Sequence, residues 1–443
     1  MRIYLIINAF LMTLLYSSSG LALPTIEHWR TDNGVAVYFA VAPEIPMVDI
    51  QVAFDAGSAR DDISGTAYLT SNWLGEGTTK HDADAIAEQF ADWGSNYSNS
   101  IDQDMAVFHL RSLTEDKLLS ASTNLFAEIL TQPRFADSDG QRLRQQLISE
   151  LTYEQQNPSY LGERALYYSV FGDHPYANPT TGTLDTVNQL TPEIIKTFYK
   201  RYYVVENAQV AIVGAMSKSQ AIDLANKITQ SFPKGEKAAA LPPVPALTTP
   251  QRIHIDFPSQ QTHIFIGQPG MTRSDEYYFP LFVGNHLLGG SSFRSLLMQA
   301  VREQRGLAYS TYSSISALRE KGLFAATAQT RNDQAETTLA IMQQTIRDFV
   351  AHAPDAERLA AIKRNITGGF PSRINSNAKI INYLTVIGFY EGIGLDHLQH
   401  FNARVDAVTP EQVYEAMRSR LTPENWVVVT VGGKNNPNEK IKE

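Results

Sequence analysis

The sequence contains no cysteine among its 443 residues, which excludes disulfides, thiolate metal sites, iron–sulfur clusters and a cysteine nucleophile. It also has no excess of positive charge. Its 37 Lys and Arg residues against 46 Asp and Glu residues give a formal net charge of −9, so nucleic acid is not expected as a partner. With 43% hydrophobic and 19% charged residues, the composition is neither that of a disordered chain nor that of a multi-span membrane protein. Any metal site would need histidine and carboxylate ligands.

The first 22 residues are predicted to be a cleavable export signal. Arg2 provides a short basic start, residues 3–15 are almost wholly apolar, and residues 20–22 (GLA) have the small-x-small pattern of a cleavage site. A membrane anchor is the alternative, but this run of 13 residues is shorter than the ~20 residues of a spanning helix. We expect cleavage after Ala22, a periplasmic location and no membrane span after cleavage. The absence of cysteine excludes a lipid anchor at that point.

The chain contains an internal duplication with a constant offset of 218 residues. Residues 190–193 (LTPE) recur as residues 408–411 (VTPE), and residues 207–214 (NAQVAIVG) recur as residues 425–432 (NWVVVTVG). In both copies Thr-Pro-Glu indicates a helix start, with threonine as the cap and proline at the first helical position. A short β-rich run that ends in glycine then predicts a buried strand. Two matches at one offset predict two related domains.

Each predicted domain is of the α+β class, with helices packed on a largely antiparallel sheet. Residues 35–40 and 47–54 alternate as paired strands should, with Asp49 and Gln51 expected on the more solvated face. The Pro- and Ala-rich segment 233–250 has no periodicity and is predicted to be a linker. The predicted divisions are a signal peptide (1–22), an N-terminal domain (23–232), the linker (233–250), a C-terminal domain (251–434) and a tail (435–443).

Common catalytic motifs are weak or absent in the sequence. It contains neither HExxH nor HxxEH, and the close pair His397 and His400 lacks an adjacent third ligand, which favours ordinary surface or capping histidines over a metal site. Residues 289–292 (GGSS) lack the Lys-Ser/Thr of a P-loop, so a tight turn is favoured over a phosphate site. There is no G-x-S-x-G elbow, and Ser71 has no histidine near it in sequence, which disfavours serine hydrolase chemistry.

Residues 65–78 resemble a segment of a known peptidase family. Residues 65–74 (GTAYLTSNWL), followed by Gly77-Thr78, are similar to the Gly-x-Ala-His-Phe-Leu-Glu-His-Met-Leu…Gly-Thr segment of the insulinase/pitrilysin-type zinc peptidases, the inverzincins. The resemblance extends over nearly all of the predicted mature chain and implies two homologous domains like those of mitochondrial processing peptidases. Further similar stretches are Glu150-Leu151 with Asn157-Pro158, residues 171–176 (FGDHPY), residues 288–290 (LGG) and residues 302–310 (REQRGLAYS).

The zinc motif of that family is degenerate in this chain. In active members, HxxEH places two histidines on one helix face to bind zinc, with the glutamate as general base. The corresponding positions here hold Tyr68, Ser71 and Asn72, and only Glu150 keeps a ligand-type group, in the stretch that supplies the family's third ligand. One carboxylate cannot hold a catalytic zinc ion, so we expect no metal and no catalytic residue in this chain. The alternative is a purely structural amphipathic helix whose apolar face contains Ala67, Leu69, Trp73 and Leu74.

Arg302 and Tyr309 are candidate substrate-binding residues. They are seven residues apart, which is the spacing of an Arg-Tyr pair that in the family lies opposite the zinc and holds the substrate backbone. A guanidinium and a phenol can both donate hydrogen bonds to peptide carbonyls, which orients a peptide independently of its side chains. The alternative is a surface arginine at a helix end and a buried strand tyrosine retained for packing.

The resemblance therefore implies a non-catalytic, substrate-binding subunit of a periplasmic heterodimeric zinc metallopeptidase that degrades peptides. The partner would be a subunit that contains HxxEH, and the zinc ion is expected in that partner. Two other interpretations stay open. The chain could be a homodimeric peptide-binding or scaffolding pseudoenzyme without a protease partner, or an autonomous hydrolase that uses a relocated site.

Overall fold

The structure is a computed structural model that describes residues 24–290 and 294–433; the predicted leader (1–22) and the predicted tail (435–443) lie outside the described residues. Within these ranges the strands form two six-stranded sheets, one in each half of the chain. The strands are β1 Glu27–Arg30, β2 Ala36–Val41, β3 Met47–Phe54, β4 Asn96–Ile101, β5 Ala106–Leu113, β6 Ala208–Gly214, β7 Gln251–Ile255, β8 Gln261–Pro269, β9 Met271–Thr272, β10 Ala308–Leu318, β11 Lys321–Arg331 and β12 Val427–Val431.

Helices separate the strands in both halves. The α-helices are α1 Thr66–Leu74, α2 Ala83–Asp92, α3 Asp116–Thr131, α4 Asp137–Glu154, α5 Pro158–Phe171, α6 Leu184–Gln189, α7 Pro192–Tyr202, α8 Lys218–Thr229, α9 Tyr278–Asn285, α10 Ala335–Ala351, α11 Ala356–Gly369, α12 Asn377–Phe389, α13 His397–Asp406 and α14 Pro410–Arg420. Two π-helical turns, His286–Gly290 and Met298–Glu303, stand between α9 and β10. In the described part of the chain, no helix is both long enough and apolar enough to cross a membrane.

Five strands of each sheet repeat one topology, which confirms the prediction of two homologous α+β domains; the sixth strand, β1 or β9, is added at a different edge in each. The first sheet has the order β1-β2-β6-β3-β5-β4, and the second has the order β7-β12-β8-β11-β10-β9. Strand β2 is parallel to β6, and β7 is parallel to β12. The next pairs, β6 with β3 and β12 with β8, are antiparallel, as are the β5 and β11 pairs that follow them. Each sheet is therefore largely antiparallel, with one parallel pair in the first sheet and two in the second, where β9 is also parallel to β10.

The repeated Thr-Pro motif acts as predicted in both halves. The side chain of Thr191 accepts a hydrogen bond from the Ile194 N–H at the start of α7, and Thr409 accepts one from Gln412 at the start of α14. Such caps satisfy an N–H group that would otherwise have no partner within the helix. The β-rich runs that follow form β6 and β12, which are buried along their lengths. Local sequence chemistry therefore defines the same helix-strand unit twice.

Each half contributes one helix to the sheet of the other half. Helix α5, from the first half, packs on β8 and β12, whereas α12, from the second half, packs on β6 and β3. Pro158 and Ser376, at the starts of these helices, are again 218 residues apart. The contacts are largely apolar; Leu166 of α5 joins Phe265 and Val429 in one buried cluster. This reciprocal exchange couples the two halves, because neither sheet is covered by its own domain alone.

A buried carboxylate also links the halves. Asp104 is 2% exposed and lies in the turn between β4 and β5. It accepts hydrogen bonds from the hydroxyl of Tyr176 at 2.6 Å, the hydroxyl of Tyr390 at 2.9 Å and the backbone N–H of Arg319 at 2.7 Å. Burial and the charge of Asp104 raise the pKa of both tyrosines, so the phenols stay protonated and remain donors. Tyr390 and Arg319 belong to the second half, which makes this cluster a polar contact across the seam.

Two sequence predictions about the first sheet are wrong. Strands β2 and β3 do not pair with each other, because β6 lies between them. Asp49 and Gln51 are 0% and 7% exposed instead of solvated. Asp49 is held by His109 at 2.7 Å and by Arg111 at 3.0 Å. Gln51 faces α12 and donates to Asn382 at 2.8 Å. Helix α12 of the second half therefore covers a face of the first sheet that would be exposed to solvent if the first domain stood alone.

The segment predicted to be a linker is bound to both halves. Residues 233–250, all within the described range, form neither helix nor strand. The Arg60 guanidinium donates to the Ala239 carbonyl at 2.6 Å, and Asn425 donates to the Leu247 carbonyl at 3.1 Å. Leu241 and Val244 are buried. The segment 233–250 is therefore ordered and fixed to both domains, since side chains from each domain donate hydrogen bonds to its backbone carbonyl groups.

The closest approach of α5 to the second sheet gives a stability prediction. A Cβ atom added to Gly162 would lie 2.2 Å from a ring carbon of Phe265, so Gly162→Ala is expected to lower the free energy of unfolding by about 1–3 kcal/mol. Gly368→Ala on α11 is the matched control, because an added Cβ meets nothing within 4 Å there and alanine favours helix by up to about 1 kcal/mol. Urea unfolding measures the free energy of unfolding of both variants. If Gly162→Ala is as stable as Gly368→Ala, the packing of α5 on β8 is contradicted.

Candidate functional site

Helix α1 carries the degenerate zinc motif and is fixed at its N-terminus. Gly65 adopts a left-handed conformation with φ of 96°, which glycine tolerates without the penalty of a Cβ atom. The Asp61 carboxylate then accepts hydrogen bonds from the backbone N–H groups of Gly65 at 2.8 Å and Ala67 at 2.7 Å. The apolar face of the helix is buried as the sequence predicts; it contains Ala67, Leu69, Trp73 and Leu74. These constraints determine which way positions 68, 71 and 72 face.

The motif positions form a hydrogen-bonded network of their own. Asn72 donates from Nδ2 to the Tyr68 carbonyl at 2.8 Å, one helical turn back. Asn99 on β4 donates to the hydroxyl of Ser71 at 3.1 Å and to the amide oxygen of Asn72 at 3.3 Å. Ser71 is fully buried. Sequence analysis missed Asn99, because only the fold brings β4 beside α1.

Glu150 lies on α4, near Tyr68. Burial raises the pKa of the Tyr68 phenol, and the negative charges of Glu150 and Glu154 raise it further. The phenol is therefore neutral at physiological pH. Burial and the nearby charge of Glu150 also raise the pKa of Glu154. Glu150 is thus near enough to act on Tyr68, and Glu154 is a second carboxyl group beside them.

These residues do not fit a zinc ion. Zinc sites in proteins are built from imidazole, thiolate or carboxylate groups, usually in a set of three or four. The set here offers a neutral phenol, a buried hydroxyl, an amide engaged at both of its polar atoms, and the carboxylate of Glu150. Over residues 24–290 and 294–433, no group of three or more His, Cys, Asp or Glu side chains is arranged to hold a metal.

The structure brings Arg302 and Tyr309 into contact. Arg302 is in the π-helical turn Met298–Glu303, and Tyr309 is near the start of β10. The Arg302 guanidinium carbon lies 4.7 Å from the centre of the Tyr309 ring, a cation–π geometry that orders both side chains. Tyr309 is 82% exposed, so the alternative of a buried strand tyrosine retained for packing is wrong.

Strand β10 presents an outer edge next to this pair. Its inner edge pairs with β11, whereas β9 pairs with its outer edge only at Ala317 and Leu318. Among the described residues, no other strand pairs with that edge. A register shift after Ala308 displaces Tyr309, and Tyr312 beyond it is also exposed. An edge of this kind can pair with an extended peptide through main-chain hydrogen bonds.

The histidine pair does not form a site. His400 is exposed and contacts Asp396 at 3.1 Å, in agreement with a surface role. His397 is buried instead and packs among the rings of Phe279, Tyr383 and Phe401. Burial, together with nearby arginines, lowers the pKa of His397 to about 4. The expectation of a surface or capping histidine is therefore wrong for His397.

His397 should make stability depend on pH. Its pKa is lower in the folded chain than the usual ~6.5, so the folded state binds fewer protons between pH 6.5 and 4 and loses stability as the pH falls through that range. We expect this group to contribute a loss of about 3 kcal/mol at pH 4. Urea unfolding of His397→Phe should lack that part of the pH dependence. The charged groups that face the ring are Arg273, Arg404 and Asp396. His400→Gln is the exposed control, and its free energy of unfolding should fall with pH as in the natural chain. If the free energy of unfolding of His397→Phe falls just as steeply between pH 6.5 and 4, the prediction is contradicted.

Two family models match the chain in tandem. The model described as insulinase (peptidase family M16) matches residues 37–184, and the model described as peptidase M16 inactive domain matches residues 189–366. An uncharacterized zinc protease of Streptomyces coelicolor is 25% identical over 423 residues, which cover 92% of this chain and 90% of that protein. An uncharacterized zinc protease of Bacillus subtilis is 23% identical over 358 residues, which cover 80% and 86%.

Solved structures with the same fold span almost the whole chain. A structure described as the peptidase M16 inactive domain from Pseudomonas fluorescens is 34% identical, with a TM-score of 0.89, and the match covers 92% of this chain and 98% of that one. A protease from Helicobacter pylori is 18% identical, with a TM-score of 0.85, and the match covers 93% and 100%. The second likeness is one of fold alone.

Proposed function

Because the chain belongs to the insulinase family, peptidase family M16, we propose that it is a non-catalytic, substrate-binding subunit of a periplasmic heterodimeric zinc peptidase that degrades peptides. The observation that carries the proposal is the contact between Arg302 and the exposed ring of Tyr309 beside the outer edge of β10. The zinc ion and the general base belong to a partner subunit that contains HxxEH.

The zinc-motif helix supports a non-catalytic role. Asn72 donates to the Tyr68 backbone carbonyl, and Asn99 donates to Ser71 and Asn72. None of the side chains at positions 68, 71 and 72 is a general base near neutral pH. Loss of the general base alone lowers the rate of such a reaction by about 10²- to 10⁴-fold. The chain would therefore depend on its partner for the attack of water on the peptide bond.

The second domain supports substrate binding. An extended peptide added to the outer edge of β10 would place its carbonyl groups near the start of that strand, where Arg302 and Tyr309 stand. The guanidinium and the phenol donate hydrogen bonds to those carbonyls, while the cation–π contact keeps the two donors in one orientation. Such binding depends on the main chain of the peptide and therefore accepts peptides with many different side chains. That property suits a subunit that handles unfolded peptides of varied sequence.

Purification from the native cell tests the partner. The chain, tagged at its C-terminus and isolated from the periplasm under mild conditions, should elute in stoichiometric complex with a second chain of similar size that contains HxxEH. Elution only with a second copy of itself would contradict the heterodimer and favour the homodimeric peptide-binding pseudoenzyme. Absence of the chain from the periplasmic fraction would contradict the proposed location.

Substitution of the Arg-Tyr pair tests its role in the reconstituted complex. Arg302→Ala is expected to lower kcat/KM for a peptide by about 10- to 100-fold, because it removes a charged hydrogen-bond donor to the substrate. Tyr309→Phe keeps the aromatic ring but removes the hydroxyl donor, and it should lower kcat/KM by about 3- to 10-fold. The matched control is Arg418→Ala on α14, where an exposed arginine also contacts a tyrosine, Tyr414, at 5.4 Å. Wild-type kinetics in both test variants would remove the pair from substrate binding.

A further inference from the structure

The second domain contains a cavity of about 400 Å³ away from the Arg-Tyr pair. It lies between the turn after β9, the start of α9, the middle of α12 and the segment that leads into α13. Its volume is in the range of sites for small ligands. Its walls are Arg273, Ser274, Asp275, Glu276, Tyr278, Phe279, Asn382, Tyr383, Val386, Ile387, Gly392, Ile393, His397 and Arg404.

One side of the cavity is apolar and aromatic. Phe279 and Tyr383 contribute rings, and Val386, Ile387 and Ile393 contribute aliphatic surface. The same wall continues into the seam, because Val386 and Ile393 pack against the cluster that contains Ala53 and Met105 of the first domain. An apolar ligand group placed here would be removed from water on several sides, which favours binding.

The other side of the cavity carries positive charge. Arg273 and Arg404 both line it, whereas the nearest buried carboxylate, Asp275, is already bound by two hydrogen bonds from Arg420, at 2.8 and 3.0 Å. The two cavity arginines contribute to the lowered pKa of His397, which is therefore neutral near pH 7. The other carboxylate of the lining, Glu276, is 77% exposed and lies 3.7 Å from Arg420, and Arg404 pairs with Asp396 at 3.1 Å. Among the described residues, Arg273 is therefore the cavity cation without an ion pair, and it is the group that favours an anion here.

Arg273 is held by aromatic groups and forms no ion pair among the described residues. Its Nη1 donates to the hydroxyl of Tyr278 at 3.1 Å, and its guanidinium carbon lies 5.3 Å from the ring centre of Tyr390. Its Nε atom is buried and has no hydrogen-bond partner among the described residues, but it exposes almost no surface to the cavity. A ligand carboxylate would therefore accept charge-assisted hydrogen bonds from the Nη groups of this arginine.

We propose that this cavity binds a small organic anion that consists of one carboxylate on an apolar or aromatic body. The carboxylate lies against Arg273, with Arg404 as the second cation, and the body lies between Phe279, Tyr383 and Ile393. A free aromatic acid and the C-terminal residue of a peptide share this chemistry. The inference does not depend on the proposed function, because it needs neither a partner subunit nor the Arg-Tyr pair on β10.

Calorimetric titration of the purified chain tests the charge requirement. The probes are N-acetyl-phenylalanine, which has a carboxylate, and N-acetyl-phenylalanine amide, which has the same body without the charge. We expect saturable 1:1 binding of the acid and at least about 10-fold weaker binding of the amide. Equal affinities, or no binding of the acid up to about 10 mM, would overturn the proposal. Comparison with 3-phenylpropionate distinguishes the sources: a preference for N-acetyl-phenylalanine indicates a peptide terminus, and the reverse indicates a free acid.

Three variants locate the bound probe. Arg273→Gln should weaken binding of N-acetyl-phenylalanine by about 10- to 100-fold, and Arg404→Gln by a smaller factor because Arg404 also pairs with Asp396. Arg418→Gln is matched to Arg273→Gln, since Arg418 likewise donates to a tyrosine hydroxyl, that of Tyr414 at 3.2 Å, but lies outside the cavity. It should bind as the wild type does. If Arg273→Gln folds, as circular dichroism would show, and binds with unchanged affinity, the site is wrong; if it fails to fold, Arg404→Gln decides in the same way.

Discussion

Replacement of Asp104 by alanine is expected to lower the free energy of unfolding by about 4 kcal/mol, among the larger effects that a single substitution produces. The variant would lose three hydrogen bonds to one buried carboxylate, at 2.6, 2.7 and 2.9 Å. It would also leave the Tyr176 and Tyr390 hydroxyl groups buried without an acceptor, which is costlier than the loss of the bonds alone. Urea unfolding, followed by tryptophan fluorescence and circular dichroism, measures the change.

Graded controls separate this network from simple loss of charge. Tyr390→Phe removes one donor and should lower the free energy of unfolding by about 1–2 kcal/mol. Asp333→Ala removes a carboxylate whose side chain is 57% exposed and paired with Arg331, so its effect should stay below about 1 kcal/mol. A loss of less than about 1 kcal/mol in Asp104→Ala would mean that the seam does not depend on this carboxylate.

The parts of the fold that were predictable are those that local chemistry determines. The Thr-Pro caps of α7 and α14 and the buried runs of β6 and β12 each depend on residues close together in sequence, so the duplication could be read directly. The exchange of α5 and α12 between the halves could not be predicted from the sequence, because an apolar helix face does not specify which sheet it will cover. Asp49 was misassigned for a related reason: its partners His109 and Arg111 are on another strand.

The candidate site divides in the same way. Positions 68, 71 and 72 were identifiable because the resemblance to the family's zinc motif covers one short stretch, and Arg302 and Tyr309 because their spacing matches the family's Arg-Tyr pair. Asn99 and the cavity were not, because their residues come together only in three dimensions. Arg273 and Arg404 are 131 residues apart in sequence, and no periodic pattern connects them. His397 was taken for a surface residue because hydropathy alone does not reveal a cage of aromatic rings around it.

The double variant Tyr68→His and Asn72→His is expected to bind zinc at 1:1 stoichiometry, with a Kd below about 1 μM, whereas the natural chain should show a Kd above about 1 mM. The change should therefore exceed about 1,000-fold. Positions 68 and 72 are one helical turn apart and face the same way, and the charge of Glu150 already acts on position 68. Two imidazoles and a carboxylate make a three-ligand zinc set. Calorimetry and metal analysis after gel filtration measure the binding.

Glu150→Gln in the double-variant background is the matched control, and it should weaken zinc binding by about 10- to 100-fold if Glu150 is the third ligand. A folded double variant that binds no zinc would show that α1 and α4 do not place positions 68, 72 and 150 close enough together to bind one metal ion. Bound zinc is not expected to restore hydrolysis, because the buried position 71 still holds serine, where the family's motif has the glutamate that takes the proton from water. Addition of Ser71→Glu to the double variant supplies that base, at the expense of the hydrogen bond from Asn99 to Ser71. A rise in peptide hydrolysis of about 10²- to 10⁴-fold from the double to the triple variant would show that the missing base, separately from the missing ligands, limits hydrolysis at this site.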